Sequence, residues 1–223
     1  MYSQDELKQQ VVDAAINFIV PRVTTDSILG IGTGSTMDLF IDALAAQKGL
    51  VKAVVSSSER STERLKNHGI EVLDLNDVKK MDWYIDGADE IDQQRHMLKG
   101  GGGALTREKI VASVARHFLC LVDESKAVEQ LGAFPLPVEV IPMAREAVSR
   151  RLAQLGGIVT WREGFVTDNG NHILDVERLK ITAPAKFESE INDIPGVVCC
   201  GLFALSGATV ALVATQTGVI TMS

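Results

Sequence analysis

The chain has 223 residues, 46% of them hydrophobic and 23% charged, enough apolar material for one large soluble domain or a medium and a small one. A formal net charge of -7 argues against nucleic acid as a partner, because a phosphate-backbone binder presents a basic face. No apolar run approaches the ~20 residues of a membrane span, so no membrane association is expected.

Ser3-Gln-Asp-Glu6 has the spacing of a capping box, and Leu7, Val11, Val12, Ala15, Ile16 and Ile19 follow at helical period until Pro21. The opening Met1-Tyr-Ser-Gln-Asp-Glu6 is acidic and polar, unlike a secretory leader. Ile28–Ile31 reads as a strand running into Gly32-Thr-Gly-Ser-Thr36, and Met37–Ala46 as a helix. Lys52–Val55 is a second strand, ending in Ser56-Ser-Ser58 and a helix that Gly69 closes. Ile70–Leu73 and Trp83–Ile85 are further strands. Leu105–His117 is predicted helical and Phe118–Val122 a strand. This alternation predicts an α/β fold: a mostly parallel, Rossmann-like sheet with helices on both faces. Ligands of such folds sit beyond the carboxyl ends of strands, where Gly32–Thr36, Asp86–Asp89 and Asp123–Lys126 fall.

From Phe134-Pro-Leu-Pro137 the rhythm changes. Strand Val138–Ile141, helix Met143–Leu155, strand Gly157–Arg162, a turn at Asp168-Asn-Gly170, strand His172–Val176, helix Ala185–Ile194 and strand Val197–Phe203 follow. The order βαββαβ is that of a smaller ferredoxin-like α+β subdomain. The expected division is residues 1–132 with 205–223 as the catalytic domain and 133–204 as the subdomain, a candidate oligomer contact. Ala208–Ala214 is one more β-rich run that would return to the first domain. Cys120, Cys199 and Cys200 lie in strand-like runs and read as buried thiols of a reducing, cytoplasmic compartment.

Gly30-Ile-Gly-Thr-Gly-Ser-Thr36 fails the dinucleotide fingerprint, since position 35 is Ser and the second strand ends in serines rather than an acidic residue. It also lacks the Lys of a Walker loop. Two readings remain: a phosphate cradle of amides and hydroxyls at a helix N-terminus, or a tight turn capped by Ser and Thr. Asp86-Gly-Ala-Asp-Glu-Ile-Asp92 clusters carboxylates at a strand end. The four histidines, His68, His96, His117 and His172, are scattered and offer no metal site. Lys99 opens four glycines and Glu108 begins a helix. Each alone reads as a solvated lysine and a helix-dipole partner; beside a phosphate cradle they supply the base and the cation of an aldose–ketose isomerisation.

These segments, together with Ala104-Leu-Thr-Arg-Glu-Lys109, Pro135-Leu-Pro-Val-Glu-Val-Ile-Pro142, Val166-Thr-Asp-Asn-Gly170 and Ile194-Pro-Gly-Val197, resemble the type A ribose-5-phosphate isomerase family in order along essentially the whole chain. The resemblance implies cofactor-free interconversion of D-ribose 5-phosphate and D-ribulose 5-phosphate, in the non-oxidative pentose phosphate pathway. It implies Glu108 as the base, Lys99 as the oxyanion partner with amides of Gly100, Gly101 and Gly102, Asp86 in ring opening, and Asp89 on sugar hydroxyls or sharing that role. Thr33, Gly34, Ser35, Thr36, Gly87, Ala88 and Lys126 complete the implied substrate site. A homodimer or a dimer of dimers is also implied. The alternatives are a sugar-phosphate sensor on the same scaffold, which would need a DNA-binding segment that the chain does not display, and a related amino-sugar phosphate isomerase or CoA transferase.

Overall fold

The computed structural model describes every residue from Met1 to Ser223. Its helices are α1 (Gln4–Ile19), α2 (Ser35–Ala46), α3 (Glu59–Asn67), α4 (Leu105–Val114), α5 (Arg145–Gln154) and α6 (Pro184–Asn192). The first strands are β1 (Ile28–Ile31), β2 (Ala53–Ser56), β3 (Met81–Asp86), β4 (Glu90–Ile91), β5 (Met97–Leu98) and β6 (Ala115–Asp123). There follow β7 (Leu136–Val140), β8 (Ile158–Trp161), β9 (His172–Glu177), β10 (Val197–Cys200), β11 (Leu202–Phe203), β12 (Val210–Thr215) and β13 (Gly218–Met222). No helix is long and apolar enough to cross a membrane.

Two compact units emerge, Met1–Gly87 with Arg107–Ala127 and Ala208–Ser223, and Ala88–Thr106 with Val128–Gly207. The first holds a six-stranded sheet in the order β13-β12-β6-β3-β1-β2, parallel except for β13, which pairs antiparallel with β12. Strand period decides which residues meet which helices. Leu29, Ile31, Trp83, Ile85, Leu119 and Leu121 point to one face, where they pack with the buried stripes of α1 and α2 and with Leu65 of α3. Gly30 and Tyr84 point to the other, toward Val111 of α4 and the Met81 sulfur. The capping box is formed: Ser3 Oγ accepts the Glu6 N–H at 3.3 Å and Glu6 accepts the Ser3 N–H at 2.7 Å.

In the second unit β10, β7, β9 and β8 form an antiparallel sheet in that order, which is 4-1-3-2 when the sheet's four strands are numbered along the chain and matches the ferredoxin-like reading. Val138, Val140, Val148, Leu152, Leu174, Val176 and Ile191 fill its core. A separate three-stranded sheet, β11-β5-β4, explains why the break falls elsewhere than the Pro-rich signal at 134–137 suggested. Residues 88–106, assigned from sequence to the first domain, carry β4 and β5, and β5 pairs with β11. They therefore belong to the second unit.

Three element boundaries also differ from expectation. Helix α4 ends at Val114, not His117, because Ala115 and His117 pair with Met81 and Trp83 on β3. Ile70–Leu73 contributes only one bridge, Val54 to Val72. The predicted strand Val197–Phe203 is two strands belonging to different sheets, broken at Gly201.

Candidate active site

Within the first unit, β1 leads into Gly32-Thr33-Gly34 and then the N-terminus of α2. Asp86, the last residue of β3, is fully buried. Its Oδ1 accepts the N–H groups of Gly87 at 2.8 Å and Thr33 at 3.1 Å, while its Oδ2 accepts the Tyr84 hydroxyl at 2.6 Å. A β-carbon at Gly32 would fall inside this carboxyl group, so that glycine makes room for Asp86 rather than for a cofactor. The serine run braces the same loop: Ser61 Oγ donates to the Gly32 carbonyl at 2.8 Å, and Ser58 Oγ to Thr33 Oγ1 at 2.9 Å. Gly34, at φ +110°, is the N-cap of α2 and offers no capping side chain, so the first-turn amides at Ser35 and Thr36 are available to an anion.

Tyr84 was read as an apolar strand residue, and the structure places it beside the carboxylates. It lies two positions before Asp86, hence on the same face of β3, and that i, i+2 spacing was the available signal. Its ring packs edge-on to Phe118 at 4.9 Å between centroids. Burial first, then the charges of Asp86 and Glu108, hold its phenol well above the ordinary value, so it stays a hydrogen-bond donor to Asp86. The linkage sign follows: a raised folded-state pKa contributes stability below the unfolded value and loses it as pH climbs. With Tyr2 replaced by Phe, tyrosinate absorbance is expected to rise only as the protein unfolds, above about pH 10. A reversible rise without loss of circular dichroism would refute this. Glu108, in the first turn of α4, is 4% exposed. Lys126 sits partly buried in the 3-10 turn Glu124–Lys126 that follows β6, a turn capped by Asp123 through the Ser125 N–H at 2.9 Å.

Within the second unit, Ala88, Asp89, Lys99, Gly100, Gly101 and Gly102 come together. The Asp89 N–H donates to the Leu98 carbonyl at 2.9 Å, and its carboxylate accepts the Gly101 N–H at 2.8 Å. Lys99 is not a solvated surface lysine; it is 3% exposed, with Nζ 5.5 Å from the centroid of the Phe203 ring. Its backbone is fixed by Gly201, whose carbonyl accepts the Lys99 N–H at 2.8 Å and whose own N–H donates to the Pro137 carbonyl at 2.8 Å. A β-carbon at Gly201 would strike the Lys99 carbonyl, so only glycine fits where the strand breaks.

Glu90 and Asp92, the other acids of the cluster, are structural. Glu90 accepts the N–H groups of Gly132 at 2.6 Å and Phe134 at 2.5 Å, and Asp92 holds His96. Glu139, which no spacing in the sequence marks, is a fully buried carboxylate on β7. It accepts from Thr106 and Thr167 hydroxyls at 2.5 and 2.9 Å and from Asn169 and Asn171 amides at 3.1 and 2.8 Å. The Thr-Asp-Asn-Gly turn therefore does more than reverse the chain. No group of three or more His, Cys, Asp or Glu side chains is arranged to hold a metal ion.

The family model of ribose 5-phosphate isomerase A (phosphoriboisomerase A) matches residues 53–218. A ribose-5-phosphate isomerase A of Bordetella pertussis is 64% identical over 98% of this chain and 97% of its own length. That of Bordetella avium is 62% identical over the whole of both. Among solved structures, ribose 5 phosphate isomerase A from Neisseria gonorrhoeae is similar at a TM-score of 0.95 and 45% identity, covering 100% of this chain and 98% of that one. A D-ribose-5-phosphate isomerase in complex with phospho-erythronic acid reaches 0.93 at 35% identity, with all of both chains covered. On these matches, the chain belongs to the ribose 5-phosphate isomerase A family.

Proposed function

We propose that this protein interconverts D-ribose 5-phosphate and D-ribulose 5-phosphate through a cis-enediolate, in the non-oxidative pentose phosphate pathway. The observation that carries the reading is the likeness, over the full length of both chains, to an isomerase solved with phospho-erythronic acid. That ligand is a sugar-acid phosphate whose planar carboxylate stands in for the planar oxygens of an enediolate.

Glu108 removes the proton from C2 of the open-chain aldose, the C2–H electrons form the C1–C2 double bond, and the carbonyl oxygen O1 takes the charge. Returning the proton to C1, with transfer of the hydroxyl proton from O2 to O1, completes the ketose. Lys99 and the glycine amides carry the oxyanion, supported by the burial of the lysine and the open space beside Gly102. Asp86 assists furanose opening, Asp89 takes sugar hydroxyls, and Thr33, Ser35 and Thr36 with the α2 N-terminus hold the phosphate; Lys126 adds a cation at the carboxyl edge of the sheet. No cofactor enters these steps. A coupled assay on ribose 5-phosphate with a chelator present is expected to show full turnover. Activity instead on glucosamine 6-phosphate or an acyl-CoA would overturn the reading.

A cytoplasmic location is supported by the odd count of three cysteines, each buried in a strand. The homodimer or dimer of dimers rests on the family resemblance, and sedimentation of the purified protein as a monomer would refute it.

A further inference from the structure

The four glycines after Lys99 are not equivalent. Gly100, at φ +108°, rests against Leu105 and Pro137, each 3.1 Å from where its β-carbon would be. Gly101 is equally close to Asp89 and Phe134. Gly103, at φ +83°, meets the Phe165 ring and donates its N–H to the Gly100 carbonyl at 2.9 Å. Gly102 has open space where a β-carbon would stand.

The carbonyls of this loop converge on one side chain. Arg162 Nη1 donates to the Gly101 carbonyl at 3.0 Å and to the Gly100 carbonyl at 3.4 Å. A trans peptide is planar, so a carbonyl turned toward Arg162 turns the following N–H the opposite way. For the 100–101 peptide that N–H is the one bound by Asp89. For the 101–102 peptide it is the N–H of Gly102, the residue with open space beside it.

Arg162 is itself held. It follows β8, and its Nε and Nη2 donate to Asp175 Oδ2 at 2.8 Å and Oδ1 at 2.5 Å, a bidentate pair to the neighbouring strand β9. Its Cζ lies 5.4 Å from the centroid of the Phe165 ring, the same ring that abuts Gly103. Pairing with Asp175 uses one edge of the guanidinium and leaves Nη1 for the loop. An ordinary cross-strand ion pair would need no such third contact.

We infer that Arg162, oriented by Asp175, is a positioning residue for the isomerisation: it fixes the Gly101–Gly102 peptide so that the Gly102 N–H is presented to the enediolate oxygen. Neither side chain touches substrate in this role. The inference rests on the isomerase reading above.

The test uses the full-length protein, ribose 5-phosphate and its 2-deuterated form, with melting temperatures measured alongside. Arg162→Met is expected to lower kcat by roughly 10–100-fold while KM stays within about threefold, because a transition-state donor has been misplaced rather than a binding group lost. The primary isotope effect should grow as proton abstraction becomes slower relative to the other steps. Asp175→Asn should show the same pattern more weakly, and it carries the test if Arg162→Met does not fold. Millimolar guanidinium should restore part of kcat to Arg162→Ala. Variants that match a turning-over wild type overturn the inference alone. A lowered melting temperature with unchanged isotope effect and no guanidinium rescue would make the pair a strand staple, and also overturns it. A wild type without turnover on ribose 5-phosphate overturns the isomerase reading and the inference with it.

Discussion

Glu108→Gln is expected to fold, to bind substrate with little change in KM, and to lose kcat by about 10²–10⁴-fold, the usual worth of a positioned general base. The amide preserves shape and hydrogen-bonding capacity in a site that is 4% exposed, so packing is not the variable. What stability it loses is the favourable placement of a negative charge in the first turn of α4, roughly 0.3–1 kcal/mol. Turnover near the wild-type level would sink the assignment of the base.

Lys99→Met should likewise separate chemistry from stability. Removing one preorganised donor to a developing oxyanion costs about 10²–10³-fold in kcat. Methionine keeps the length of a side chain that is 3% exposed and packs on Phe203. Turnover is therefore expected to fall further than thermal stability does. A large fall in thermal stability with activity retained would make Lys99 a structural residue, the outcome that a site built on its charge excludes.

The framework was legible wherever local chemistry and periodicity agreed. The capping box at Ser3, the strand–helix rhythm of residues 28–67 and the βαββαβ order after residue 134 each needed only near neighbours. The misreadings share a cause: partners distant in sequence. Nothing around Ala115–His117 signals a strand; β3 recruits those residues and overrides their helical tendency. Gly201 looks like one glycine in an apolar run until Lys99, about a hundred residues earlier, is found against it. Residues 88–106 join the second unit because β11 supplies the partner for β5.

For the candidate site, charge and glycine spacing flagged Asp86, Asp89, Lys99 and Glu108, while Tyr84 and Glu139 were hidden by their apolar strands. A tyrosine or glutamate in such a run announces itself only through what it bonds to. Arg162 is similar, since its meaning lies in two carbonyls roughly sixty residues upstream.

The place of β12 in the first sheet has a consequence for how the chain is made. Residues 210–215 lie parallel to 119–123 and separate β6 from β13, so about eighty residues of the second unit, 128–207, are synthesised before β6 gains that neighbour. During translation the nascent first unit would expose β6 as an apolar open edge, a template for wrong pairing. Late closure of a distant parallel pair is also slow. Chaperone dependence and sensitivity to ribosome stalling should therefore concentrate in the interval between these two strands.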